Sequence, residues 1–219
     1  MRKTYLSPSI LSADFAHLGE DIRCVKEGGA TYLHYDVMDG RFVPSISFGM
    51  PVLRSVRKIT DLVLDVHLMI EEPERYIDEF ADCGADIITI HQEACRDLKG
   101  TLAKIRERGV KAGVVIKPGT PNQVLADVLD QVDMILLMTV EPGFGGQAYI
   151  PSSTEKIREL RSMLDARGLQ TDIEVDGGIK KENLQTVLDA GANVIVAGSA
   201  VFAGDIRQNV RDFLTIMQR

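Results

Sequence analysis

Short apolar runs alternate with amphipathic stretches eight times along this 219-residue chain, and that rhythm restricts its fold more than any other feature. Strands are predicted at 5–10, 31–36, 62–67, 87–91, 111–116, 134–138, 172–176 and 194–197. Helices are predicted near 14–27, 51–57, 74–81, 98–108, 122–129, 153–165, 183–190 and 209–217, with an extra helical turn in 200–206. The strand runs are rich in Val, Ile and Leu, as parallel strands covered on both faces must be. Glycine repeatedly precedes an incoming strand, at Gly28-Gly29, Gly84, Gly109 and Gly191, where it ends the helix before.

Eight strands alternating with eight helices imply a single-domain (β/α)8 TIM barrel spanning 1–219. A doubly wound sheet needs fewer strands and places its glycines after the first one. Here the first strand runs into Ser7-Pro8-Ser9-Ile10-Leu11-Ser12, and the glycines cluster late. The formal net charge of -7 and the lack of a long basic run exclude nucleic acid and anionic membrane as expected partners. Cys24, Cys83 and Cys95 are too few for a disulfide framework and wrongly spaced for a thiolate zinc site. No N-terminal stretch resembles a signal peptide and no apolar run approaches a membrane span, so a reduced, cytoplasmic protein is expected.

Four polar residues interrupt the apolar runs. His34 and Asp36 lie in the second predicted strand, His67 ends the third, and Asp176 ends the seventh. Burying such groups is costly unless they are paired or bind metal. Residues two apart on a strand share a face, so His34 and Asp36 point together into the bore. Two imidazoles and two carboxylates converging there make a ligand set for one divalent metal ion. Asp65, on the face of His67, is either an alternative ligand or an acceptor that fixes a histidine tautomer, and the second role is preferred. Glu174 is expected to be a further interior polar group. His91 is read as pocket wall or hydrogen-bonding residue, and His17 as a helix-surface residue. Asp36 and Asp176 come from different sides of the bore, so a carbon held between them loses a proton to one and regains it from the other. A metal holding an adjacent carbonyl and hydroxyl stabilises the enediolate between. That chemistry is epimerisation beside a carbonyl, without a redox cofactor.

Glycines follow strands six, seven and eight in Gly143-Phe144-Gly145-Gly146, Gly177-Gly178 and Gly198-Ser199. Late βα loops are the usual phosphate site of such barrels, and glycine lets backbone N–H groups approach the anion. Gly146, Gly178, Gly198 and Ser199 are assigned to this cradle. Ser9 lies near the same end of strand one. Met38, Met69 and Met138 are read as an apolar wall around the centre. The segments 39–47 and 143–149 are candidate flaps.

These blocks resemble ribulose-phosphate 3-epimerase over nearly the whole chain. The resemblance rests on Ser7-Pro8-Ser9-Ile10-Leu11-Ser12-Ala13-Asp14-Phe15, His34-Tyr35-Asp36-Val37-Met38-Asp39-Gly40 and Phe42-Val43-Pro44. It continues in Asp65-Val66-His67-Leu68-Met69-Ile70, Pro142-Gly143-Phe144-Gly145-Gly146-Gln147, Glu174-Val175-Asp176-Gly177-Gly178-Ile179 and Val196-Ala197-Gly198-Ser199-Ala200. It implies interconversion of D-ribulose 5-phosphate and D-xylulose 5-phosphate in the pentose phosphate pathway or carbon fixation. It implies metal on His34, Asp36, His67 and Asp176, an Asp36–Asp176 acid–base pair, and Ser9, His67, Gly146, Gly178, Gly198 and Ser199 around a phosphorylated ketose. It further implies zinc, iron, manganese or cobalt as the metal, and a homo-oligomer. Ser45 stands where the family usually has Asn, and Ile116-Lys117-Pro118-Gly119-Thr120 replaces an Asn-Pro-Ala-Thr form.

Three alternatives compete. A hexulose 6-phosphate 3-epimerase shares much of the constellation. A metal-free decarboxylase or aldol-type synthase needs a strand-end lysine, for which Lys117 is the candidate. A non-catalytic sugar-phosphate-binding barrel does not explain two facing carboxylates.

Overall fold

The computed structural model describes residues 2–218. Among these, eight parallel strands form one sheet: β1 (Tyr5–Pro8), β2 (Tyr32–Met38), β3 (Val63–Met69), β4 (Ile87–His91), β5 (Lys111–Ile116), β6 (Met134–Met138), β7 (Asp172–Asp176) and β8 (Val194–Ala197). The order around the sheet is β1-β8-β7-β6-β5-β4-β3-β2. A parallel bridge between Ser9 and His34 brings its two ends together and closes the (β/α)8 barrel. Residues 5–217 are used in this one architecture, and the expected termini Met1 and Arg219 lie outside the described residues.

Side chains alternate between bore and helix layer, as the two-residue repeat of a strand demands. Leu33, Tyr35 and Val37 of β2, Leu64, Val66 and Leu68 of β3, and Ile135 and Leu137 of β6 join the large core beneath the helices. Tyr32, Ile87, Met134 and Val194 pack with Tyr5 and Val63 as an apolar floor in the bore. Above it lies a layer with buried Ser7, His34, Asp65, Thr89 and Glu174. The cavity opens above that, at the C-terminal ends of the strands.

The helices are α1 (Leu18–Gly28), α2 (Met50–Arg57), α3 (Ile77–Asp82), α4 (Leu98–Glu107), α5 (Ser153–Ala166), α6 (Lys181–Asp189), α7 (Ser199–Phe202) and α8 (Ile206–Met217). Asp97 and Asp205 cap α4 and α8 by accepting from Gly100 N and Gln208 N. The buried face of α8, with Val210 and Phe213, packs on α1. Gly28 makes that approach feasible, because a Cβ there would meet Val210 Cβ at 2.6 Å.

Three expectations shift. The helix expected at 122–129 is a 3-10 turn, Asn122–Leu125, followed by irregular turns. Its backbone bonds join residues three apart, Ala126 N to Gln123 O and Val128 N to Leu125 O, as in a 3-10 turn. Asn122 Nδ2 is drawn away to Lys156 O and Glu159 Oε2, both at 2.9 Å. The first strand stops at Pro8 rather than residue 10, because Ser9 caps a 3-10 turn over Ile10–Ser12. Similarly α1 starts at Leu18, since Asp14 Oδ1 accepts from Ala16 N and holds a turn before it. The extra helical turn expected after β8 is α7.

Candidate metal and substrate site

Strand register assembles the polar layer. Parallel pairing of β2 with β3 sets His34 beside Asp65 and Asp36 beside His67. All four side chains therefore project inward as two stacked pairs, and β7 adds Glu174 and Asp176 at the same two levels. The Ser9–His34 bridge brings Ser9 to the upper level, where its hydroxyl donates to Asp36 Oδ2 at 2.5 Å.

His34 Nδ1 lies 2.8 Å from Asp65 Oδ2, and Ser7 Oγ donates to the same oxygen at 3.1 Å. His34 Nε2 then faces upward, 3.2 Å from Asp36 Oδ1 and 3.8 Å from Asp176 Oδ2. His67 Nδ1 sits 3.1 Å from Asp36 Oδ1 and 3.8 Å from Asp176 Oδ2. These four ligand atoms lie within 4.8 Å of one another. Asp65 and Glu174 form a second carboxylate group with His34 at the lower level. There His34 already points its Nδ1 at Asp65, and no side chain is exposed.

A cation fits the upper group on the evidence of one atom. Buried His34 Nε2 has no hydrogen-bond partner. Its Nδ1 must carry a proton to serve Asp65, and Nε2 faces two carboxylates, as a lone pair toward a cation or, without one, as a second N–H. The lone-pair form is repulsive unless positive charge lies between.

The carboxylates are strongly differentiated. Burial works against the charge of Asp36, but His34 and His67 outweigh it and hold its pKa below the usual range. Burial, reinforced by the charge of Asp36, pushes Asp176 up to about 6. Burial and then Asp65 push the pKa of Glu174 well above the usual carboxylate range. Burial opposes charge on His34, yet Asp36 and Asp65 raise it well above the imidazole range.

A cavity opens over this group. Ser9, Asp36, Met38, Met69, Met138, Asp176, Gly146, Gly178, Gly198 and Ser199 all line it, so the structure gathers every expected wall and cradle residue around one space. His34 and His67 lie fully buried beneath. Gly178 has φ +69° and backs directly onto the β6–α5 loop, where a Cβ would meet Tyr149 N at 2.3 Å. The segment 39–47 is tied to itself and its neighbour. Gly40 N donates to Ser45 O, and Asp39 accepts from the backbone N–H of Arg41, Phe42 and Glu71.

Sequence reasoning missed Lys180 at the cavity rim and the carboxylate of Glu93. The signal for Lys180 was its place just after Gly177-Gly178-Ile179. Glu93 had no signal, because its role depends on contacts between the loops after β4 and β5. His91 Nε2 meets His67 Nε2 at 2.9 Å, the hydrogen-bonding role expected of it, and burial lowers its pKa to about 4. Lys117 does not line the cavity; its Nζ lies 4.1 Å from the Phe42 ring centroid. His17 precedes α1, exposed and paired with Asp14.

Comparison with known proteins agrees with this picture. The chain is 55% identical over 204 residues to ribulose-phosphate 3-epimerase of Bacillus subtilis (strain 168), covering 93% of this chain and 94% of that protein. It is 57% identical over 199 residues to the enzyme of that name from a Synechocystis species, covering 90% and 86%. Among solved structures, a mutant tryptophan synthase alpha-subunit from Pyrococcus furiosus superposes with a TM-score of 0.73 at 16% identity, covering 98% of this chain and 100% of that one. A thiamine phosphate pyrophosphorylase from the same organism gives 0.69 at 18%, covering 99% and 95%. At such identities these two likenesses concern the barrel alone. The family match runs over residues 5–202, from the start of β1 to the end of α7, and so takes in every strand that carries a site residue: this chain belongs to the Ribulose-phosphate 3 epimerase family.

Proposed function

We propose that this chain interconverts D-ribulose 5-phosphate and D-xylulose 5-phosphate by proton transfer at C3 through a 2,3-enediolate. The names of its relatives support the substrate. The observation that carries the chemistry is the orphaned Nε2 of His34, aimed between Asp36 and Asp176. His34, Asp36, His67 and Asp176 hold one divalent cation in this reading. Two nitrogen and two oxygen donors suit zinc, iron, manganese or cobalt. Bound there, the cation supplies Lewis acidity that acidifies the C3 proton and stabilises the enediolate.

Asp36 and Asp176 exchange the proton from opposite faces of C3. Ser9 fixes the rotamer of Asp36 through its 2.5 Å hydrogen bond, so one oxygen keeps a constant direction. Asp176 is the more open of the two, with its side chain 18% exposed against 4% for Asp36. It therefore has the easier proton exchange with solvent. Met38, Met69 and Met138 exclude water from the carbanionic carbon. Backbone N–H groups around Gly146, Gly178, Gly198 and Ser199 hold the phosphate, with Lys180 adding charge at the rim.

The test is turnover of D-ribulose 5-phosphate before and after chelation, with each metal returned singly. Activity should vanish on chelation and return with metal. Full turnover by metal-free protein ends the metal assignment. A higher kcat/KM on a hexulose 6-phosphate than on D-ribulose 5-phosphate ends the substrate assignment.

A further inference from the structure

We propose that Glu93 and His91 are positioning residues that fix which nitrogen of His67 is offered to the cation, an inference resting on the metal reading above. The argument begins at the β5 loop. Lys117 N–H donates to Glu93 Oε1 at 2.8 Å, and the Thr120 hydroxyl donates to the same oxygen. Glu93 is thereby engaged as a carboxylate acceptor, and its second oxygen, Oε2, lies 3.3 Å from His91 Nδ1. A carboxylate oxygen needs a donor there, so His91 carries its proton on Nδ1. His91 Nε2 is left with a lone pair.

That lone pair lies 2.9 Å from His67 Nε2. The two ring centroids are 5.1 Å apart and the planes within 28° of parallel, so the imidazoles meet edge to edge. Only a proton on His67 Nε2 makes this contact a hydrogen bond. His67 Nδ1 is then the free lone pair, facing Asp36 Oδ1 and Asp176 Oδ2. Donation along the chain runs toward Glu93, from His67 Nε2–H to His91 and from His91 Nδ1–H to Glu93, while the Lys117 backbone N–H and the Thr120 hydroxyl hold Glu93 from its other side.

His34 reaches the same condition by a shorter route, because Asp65 accepts directly from its Nδ1–H. The β4 strand cannot offer His67 an equivalent carboxylate, since its residue in register with His67 is Thr89. The relay through His91 supplies one. Phe42 packs on the His91 ring at 4.7 Å and Lys117 Nζ covers Phe42, so the relay ring is held on its face as well as at its nitrogens. The loops after β2, β4 and β5 thus meet on one histidine. The β5 loop is also where Lys117-Pro118-Gly119-Thr120 departs from the family's common form.

The chain has four histidines, few enough to assign individually by 15N-histidine labelling. Long-range proton–nitrogen correlation on the zinc-loaded protein should show His91 protonated on Nδ1 and His67 on Nε2. In Glu93→Ala, His91 should lose its single tautomer, and the zinc dissociation constant by chelator competition should rise about ten- to a hundredfold. His91 protonated on Nε2 in zinc-loaded wild type overturns the relay while leaving the metal site standing. Unchanged zinc affinity and tautomer in Glu93→Ala, with only a lower melting temperature, also overturn it, reducing Glu93 to a loop fastener. Failure of the wild type to take up zinc overturns both the relay and the metal reading.

Discussion

The Ser9 hydroxyl and Asp36 Oδ2 lie 2.5 Å apart, at the level where the bridge from Ser9 to His34 closes the barrel. One contact therefore joins the seam of the fold to the orientation of a reacting carboxylate. Asp36 spends Oδ2 on Ser9 and turns Oδ1 toward both imidazoles.

Ser9→Ala should accordingly lower kcat with little change in melting temperature. A hydrogen bond to a charged group contributes about 1.5–3 kcal/mol, or about ten- to a hundredfold in rate if it is needed in the transition state. Steady-state kinetics beside a thermal melt checks this. An unchanged kcat would show that Asp36 holds its rotamer without Ser9.

Asp36→Asn and Asp176→Asn each replace a proton acceptor with an amide of nearly the same shape. Turnover should fall by about a thousandfold or more, since acid–base groups commonly contribute 10²–10⁴ each and here they also hold charge. In heavy water the wild type should place deuterium at substrate C3. Epimerisation without solvent deuterium over many turnovers would refute exchange at the partly exposed Asp176.

Gly178→Ala tests the cradle. The added methyl would meet the Tyr149 backbone at 2.3 Å, and the residue has φ +69°, so both clash and strain push the β6 and β7 loops apart. The KM for the phosphorylated ketose should rise by about tenfold or more, beyond any fall in kcat. Equal KM values in mutant and wild type would move the phosphate elsewhere in the cavity.

Glu93 has a signature in acid. Burial favours its neutral form, but hydrogen bonds from His91, Thr120 and Lys117 N outweigh that and bring its pKa down from 4.5 to about 2. A depressed carboxylate binds fewer protons folded than unfolded. Its stabilisation is therefore complete above about pH 4.5 and is lost as pH falls toward 2. Between pH 6 and pH 3 the wild type should lose about 2 kcal/mol more unfolding free energy than Glu93→Gln, as read by denaturant titration at both values. Parallel losses in the two proteins would contradict the shift.

Much of the site is legible in the amino-acid sequence. His34, Asp36, His67 and Asp176 stood out because charged or imidazole side chains are conspicuous in apolar strands. The two-residue repeat told which of them shared a face. Asp65 was readable by the same rule, and it meets His34 as expected. The turn at 122–125 was less legible, because apolar residues three or four apart suit either kind of helix. Glu93 was invisible for a different reason. It lies beyond the end of β4 in a loop, and its partners Lys117 and Thr120 come from another strand's loop.

Local pattern alone determined the strands, their burial, the face of each site residue and the barrel those strands build, because period and apolarity act within a few residues. Only the tertiary structure decided the pairing of particular nitrogens and oxygens. Strand register set Asp36 beside His67, ring closure delivered Ser9 to Asp36, and loops from three strands lined up Glu93, His91 and His67. Those contacts depend on ångström distances between segments far apart in the chain, which no local periodicity encodes.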